Sequence, residues 1–429
     1  LSRCRRRAAA GEEDGWARAL LLAGRFQDFG VNHPSESFRT LASIDPGPVT
    51  AIRADPPNDR WGELQLYHRR IASPDHARQN KKFESANLLP SMWRCIRLPF
   101  SFFALFTGAK AFCDNPILGS RRLNRAGLHV LRLRAAHRLA RWRRARLAHM
   151  LPAELRQQFD RDGFIEIRDF LPAADFRRFQ ADLLASNHEC RIHQQGDTIT
   201  RRVAVSPRLR RRFPQLDRIL RNRSWEGVMA YVASAKSKPL YYIQTILGGA
   251  APGPPDPQLE LHSDTFQPSL KAWLFLTDVP EDGRPLTYVP GSHRLSPERI
   301  EWERRKSIDV LSNGDRLSQR GSLRISAAEL DELRLPAPKR FCVPANTLVA
   351  IDTCGFHARA GSDRQSLRVE LWAYCRRSPF LPWAGAGPFS RLIGDRRGEW
   401  LAAMVDWLDS LGLKKQHWQS AGRRRAIDW

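Results

Sequence analysis

The sequence is poor in the means of covalent cross-linking. Its seven cysteines, at 4, 95, 113, 190, 342, 354 and 375, are scattered and odd in number, with no Cys-x-x-Cys pair. That excludes a disulfide scaffold and a zinc knuckle, and it predicts a reducing, cytoplasmic setting. Long apolar runs are also missing. The best, Leu98 to Thr107, falls well short of the roughly 20 residues that a membrane-spanning helix needs. Acidic residues are in deficit: 45 Asp and Glu face 70 Lys and Arg, a formal net charge of +25. Such a balance favours anionic partners without selecting a fold. The N-terminus lacks the apolar core of a signal peptide, because Glu12, Glu13 and Asp14 follow Arg3, Arg5, Arg6 and Arg7.

The 429 residues divide by pattern. Residues 1–91 carry no sustained helical or strand period and read as disordered, or as a non-native extension, since the chain begins with Leu and a stretch of different character opens at Met92. Residues 92–150 are apolar and then basic. Leu128, Leu131, Ala135, Leu139 and Trp142 recur at three- and four-residue steps among ten arginines, the pattern of a basic amphipathic helix. One reading is peripheral attachment to an anionic membrane surface through 98–146, with Phe100 to Phe106 dipping into the interface. The other is docking of the apolar stripe on the rest of the protein. Nucleic-acid binding is not expected, for no aromatic ladder or zinc spacing accompanies the charge.

Residues 151–382 read as one domain. Helices come first, and Gln194 to Arg202 reads as a polar loop near a pocket mouth, with Arg201 and Arg202 facing either a substrate anion or solvent. From Leu240 the pattern turns to short β-branched and aromatic runs separated by turns such as Pro280-Glu-Asp-Gly283, which predicts a mainly β fold with flanking helices. Residues 296–338 form a charged insertion long enough to be a lid. In the tail, 383–429, one helix over Glu399–Leu411 places Trp400, Met404, Trp407, Leu408 and Leu411 for core packing.

The chemistry centres on Gln258-Leu-Glu-Leu-His262-Ser-Asp264. On extended backbone, residues i and i+2 share a face, so His262 and Asp264 can reach one ion. His357 supplies a third ligand, and two histidines with one carboxylate form the facial triad of non-haem Fe(II) oxygenases. The open positions suit O2 and a two-oxygen co-substrate. Arg368, on a strand expected to pair as a hairpin with the one carrying His357, would meet that co-substrate's carboxylate through its planar fork.

His262-x-Asp264, then Gly283-Arg-Pro-Leu286 leading into Val289-Pro-Gly-Ser-His293, then His357 with Arg368 eleven residues on, resembles the phytanoyl-CoA dioxygenase family. The lead-in Leu155 to Leu171 resembles the family's N-terminal helix and first strand. The resemblance implies a double-stranded β-helix (jelly-roll, cupin-like) core, with Fe(II), 2-oxoglutarate and O2 used to hydroxylate a small molecule. It also implies that Trp273 and Gln244 lie beside 2-oxoglutarate. Ser263 departs from members that carry Gln there. The family's name suggests an acyl-CoA or lipid-like substrate. The competing readings are a catalytically inactive binding protein on the same fold and a basic membrane- or nucleic-acid-binding module. His293 is expected to be a structural turn residue.

Overall fold

The computed structural model describes residues 99–383 and 394–429, so the expectations for 1–91 lie outside the described residues. The chain divides into two units, Asn32–Phe100 and the remainder; of the first, only 99 and 100 are described. The remainder holds every element named below.

Its strands are β1 (Phe164–Ile167), β2 (Asn187–Gln195), β3 (Thr198–Ala204), β4 (Leu240–Gly248), β5 (Leu270–Phe275), β6 (Leu286–Tyr288), β7 (Lys339–Arg340), β8 (Leu348–Asp352), β9 (His357–Arg359), β10 (Ser366–Cys375) and β11 (Gln419–Arg425). An eight-stranded sheet runs β1-β8-β5-β10-β4-β3-β2-β11, and a smaller one runs β7-β6-β9. All pairings are antiparallel. Isolated bridges join His262 to His357 and to Arg324, which widens the small sheet by the segment carrying His262. From β4 onward the chain alternates between sheets: β4 in the large one, His262 in the small, β5 large, β6 and β7 small, β8 large, β9 small, β10 large. That winding is a double-stranded β-helix, as the motifs imply.

The strand period of two explains the layering. Along β10, Val369, Leu371, Ala373 and Cys375 join Leu270, Ala272 and Leu274 of β5 in the outer core. Helices α3 (Ala153–Asp162), α4 (Ala173–Ala185) and α5 (Arg223–Val232) close over it with Phe159, Phe179, Leu183 and Trp225. The alternate residues Trp372 and Tyr374 turn inward, with Trp273, Phe275, Leu286, Tyr288 and Phe341 between the sheets. Arg368 and Glu370 share that inner face by the same alternation, so two charged groups sit where the pattern otherwise places aromatics. Gly163 ends α3 with φ 84°, and a Cβ there would lie 2.5 Å from both His293 Nδ1 and Tyr288 Oη, so only glycine fits the approach.

Several expectations are corrected. β9 and β10 are not a hairpin pair, because 360–365 crosses from the small sheet to the large one. Gln194 to Arg202 is not a loop but the turn end of the β2–β3 hairpin, where Gln194 pairs with Ile199 and Gln195 with Thr198. The insertion at 296–338 is not a free lid. Its main helix, α6 (Pro297–Asn313), buries Trp302 and Val310 against Phe112, Val289 and Phe356. Helix α7 (Arg397–Ser410) forms where the tail helix was expected, but it buries no residue, and Trp400 and Trp407 are 62% and 56% exposed.

The basic segment is helical as expected, in α1 (Arg121–Arg125) and α2 (Leu128–Leu147). The buried face is not the expected stripe. It consists of His129, Arg132, Leu133, Ala136, Ala140, Arg143, Arg144 and Leu147, whereas Leu131 and Trp142 are exposed. Three arginines can be buried because each meets backbone carbonyls. Arg132 donates to Leu105, Thr107 and Ala109; Arg143 to Ser234, Pro379 and Leu381; Arg144 to Tyr231 and Val232. These bonds cross the boundary expected at residue 151, and residues on both sides of it belong to the same unit.

Candidate metal centre

His262 reaches the centre on backbone held from both sides. It exchanges hydrogen bonds with His357 (N to O 3.0 Å, and 2.9 Å in return), while Leu261 and Ser263 bond to Ile325 and Leu323. Asp264 follows in a bend, its N–H donating to Thr353 O at 2.9 Å. The two histidine rings lie 4.6 Å apart. Asp264 stands between them, with Oδ1 3.6 Å from His262 Nε2 and Oδ2 3.7 Å from His357 Nε2. One ligand atom from each residue falls within 4.8 Å of the others.

The tautomers follow from the outer hydrogen bonds. Nδ1–H of His262 donates to Glu260 O at 2.7 Å, and Nδ1–H of His357 donates to Gly355 O at 3.0 Å. Each Nε2 therefore presents a lone pair, and each is buried with no hydrogen-bond partner. Burial lowers the His262 pKa and pushes His357 down to about 3, so both rings are neutral at physiological pH. Burial opposes ionisation of Asp264, but Lys271 and then His357 hold its carboxyl well below the usual range. Two neutral imidazoles and one carboxylate, converging with unused lone pairs, are a donor set that fits a divalent iron ion.

Arg368 is buried on the inner face of β10, where Nε meets Glu370 at 2.8 Å and Nη1 meets Arg284 O at 2.7 Å. Gln244, opposite Glu370 on β4, donates to the same carboxylate at 2.7 Å and accepts from Arg202 Nε at 2.7 Å. Arg202 also lies over the rings of Trp372, Trp418 and Tyr242. Arg201 instead donates to the carbonyls of Arg425 and Asp428 near the C-terminus. Trp273 is buried in the inner core opposite Trp372. His293 is buried against Phe159 and stays outside the triad.

Three residues escape the sequence reading. Lys271, on β5, places Nζ 2.7 Å from Asp264 Oδ2. Lys110, from the segment before α1, donates Nζ–H to Asp264 O. Glu370 holds Arg368. The alternation of Lys271-Ala-Trp273 and of Arg368-Val-Glu370 carried the signal for two of them. Nothing local marks Lys110, which is distant from the triad in sequence.

Residues 159–313 match the family model described as phytanoyl-CoA dioxygenase. This is the family the motifs resemble; the matched span is about a third of the chain, and it supports an iron- and 2-oxoglutarate-dependent oxygenase. It spans His262 and Asp264 and stops before His357 and Arg368, which rest on motif and geometry. No curated protein matches the chain. Solved structures similar to it include the epimerase SnoN from nogalamycin biosynthesis, in complex with Fe3+, alpha ketoglutarate and nogalamycin RO, at 18% identity, 55% of this chain, 91% of that one and a TM-score of 0.35. HygX from Streptomyces hygroscopicus with nickel, 2-oxoglutarate and hygromycin B gives 16%, 53%, 88% and 0.32. EctD from S. alaskensis with bound Fe gives 16%, 58%, 85% and 0.31. Likeness at this level bears on neither substrate nor mechanism.

Proposed function

We propose that the protein hydroxylates an unactivated C–H bond of a small, lipid-like or acyl-CoA substrate, with 2-oxoglutarate converted to succinate and CO2. In this reading His262, Asp264 and His357 hold Fe(II), and Arg368 meets the far carboxylate of 2-oxoglutarate. The observation that carries it is the pair of buried Nε2 atoms without a partner, aimed at one carboxylate. Bound iron would supply activation of O2. Asp264 as a ligand leaves no vacancy for a halide, which favours hydroxylation over halogenation.

The chain's own residues do the rest. The carbonyls of Glu260 and Gly355 keep both rings in the metal-binding tautomer. Lys271 orients Asp264. Glu370 and Arg284 O use Nε and Nη1 of Arg368, which leaves Nη2 for an incoming carboxylate. Gln244, itself held by Arg202, fixes Glu370, and Trp273 with Trp372 excludes water from the inner face.

Anaerobic titration with Fe(II) and 2-oxoglutarate tests this. A weak visible charge-transfer band is expected in the parent, absent in His262→Ala and weakened in Arg368→Ala. No band in folded parent protein would leave a binding protein on this fold as the better account.

A second reading concerns location. Leu131 and Trp142 lie exposed on α2 among the exposed Arg134, Arg138, Arg141 and Arg146, and Phe102, Phe103 and Phe106 are exposed nearby in sequence. These features support peripheral attachment to an anionic membrane. Among the described residues no helix is long and apolar enough to cross one. Co-sedimentation with phosphatidylserine vesicles, reduced at least tenfold by Trp142→Glu and Phe103→Glu together, is the expected result; equal sedimentation of parent and variant would refute it.

A further inference from the structure

Two lysines from different parts of the chain converge on Asp264, one at its carboxylate and one at its main-chain oxygen. Lys271 comes from β5 and meets Asp264 Oδ2 at 2.7 Å. Lys110 comes from the segment before α1 and donates to the main-chain oxygen of the same residue. Neither is there by accident of a flexible surface. Arg376 donates to Gly108 O, Arg132 to Thr107 O and Ala109 O, and Phe112 and Cys113 donate N–H to Gln319 O, so backbone bonds hold the segment on both sides of Lys110. Gly321, at φ 78°, is pressed against it so closely that a Cβ would lie 2.3 Å from Lys110 O.

The charges near this point do not balance. On the Arg368 side three arginines have a carboxylate of their own: Arg368 with Glu370, Arg284 with Asp197, Arg359 with Asp256. Beside the triad, Lys110 and Lys271 have Asp264 alone, and with iron bound that carboxylate is already neutralised. The 2-oxoglutarate co-substrate does not correct this, for one of its carboxylates would go to Arg368 and the other to the metal. Cations held largely away from water without a counter-charge are costly. Each ammonium has three donors and uses one on Asp264. Both side chains keep some exposure, so a ligand can reach them.

The direction is set by register. Lys271 stands opposite Tyr374, six residues along β10 from Arg368, which is roughly 20 Å of strand. The lysine pair is therefore at the other end of the inner face from the arginine.

We propose that Lys110 and Lys271 form an oxyanion subsite, and that the substrate enters with a carboxylate or phosphate group bound there, beside the metal and away from Arg368. This rests on the oxygenase reading for the word substrate, but not for the binding of the anion. Calorimetric titration of the Fe(II)–2-oxoglutarate complex, kept anaerobic, with octanoate, octyl phosphate and octanol separates the cases. One equivalent of octanoate or octyl phosphate should bind at least tenfold more tightly than octanol, and whichever anion binds tighter identifies the group. Lys110→Met, checked for an unchanged melting temperature, should lose that preference, and Lys110→Arg should keep most of it. If Lys110→Met fails to fold, the same comparison is made with Lys271→Met on metal-free protein. Octanol binding as well as the anions, or equal anion binding by parent and lysine variant, overturns the proposal. Should the parent show no charge-transfer band, the oxygenase reading fails by itself; metal-free titration with the same three probes still decides the subsite.

Discussion

At the scale of single residues, the inner face of the large sheet is held by charge as much as by packing. Glu370 is fully buried and carries the hydrogen bonds of both Arg368 and Gln244. Glu370→Ala leaves a buried guanidinium without its partner, an expected loss of about 3–5 kcal/mol in urea unfolding. A second expectation concerns acid. Burial pushes the His293 pKa down to about 3, against the pull of Asp352, while an unfolded histidine titrates near 6.5. The unfolded chain thus takes up a proton that the fold resists. Stability is complete above pH 6.5 and is lost as pH falls towards 3, by about 1.4 kcal/mol per unit. Melting of metal-free protein at pH 7 and pH 5 should show the drop, and His293→Leu should make it shallower. A variant with the parent's pH slope would show that His293 is not its source.

At the scale of elements, helices α2 and α6 complete the site rather than decorate it. Arg144 of α2 pairs with Asp352 at 2.8 Å, and Asp352 Oδ1 accepts from Ser269 N and Cys354 N at the start of the turn that delivers His357. Arg144→Met should cost about 3–5 kcal/mol, and adding Asp352→Asn should recover part of it in a double-variant cycle. In α6, Glu303 lies fully buried between Arg299 and His129. Burial opposes its charge, yet Arg299 and His129 hold its pKa at about 2. Trp302→Ala, which empties the core that α6 shares with Phe356, should lower stability by about 3–5 kcal/mol in the same unfolding assay. Element existence was legible in sequence wherever a period ran long, as in α2, α4, β4 and β10. Which face an element buries was less so. The apolar stripe of α2 predicts Leu131 and Trp142 inside, but carbonyls left open at 105–109, 231–234 and 379–381 accept guanidinium donors and draw the arginine face inward instead. In α7 the tryptophans of an apolar period stand exposed.

At the scale of the whole molecule, the net charge of +25 is only partly a surface property, since Arg132, Arg143, Arg144, Arg201, Arg284, Arg299 and Arg368 are buried. Raising salt should therefore weaken vesicle or anion binding far more than it lowers the melting temperature, because exposed charges are screened and buried pairs much less so. The sequence by itself determined a mainly β core and the residues available for the triad, and its family resemblance implied the winding. Period-two strands broken by turns leave few ways to close a core, and a His-x-Asp on extended backbone puts both side chains on one face. Only the tertiary structure decided what surrounds them. Lys110, Glu303 and Arg144 act across separations of 154, 174 and 208 residues, and such contacts leave no local period to read. Their placement follows from which helix face could satisfy the most buried carbonyls and carboxylates once the sheets had closed.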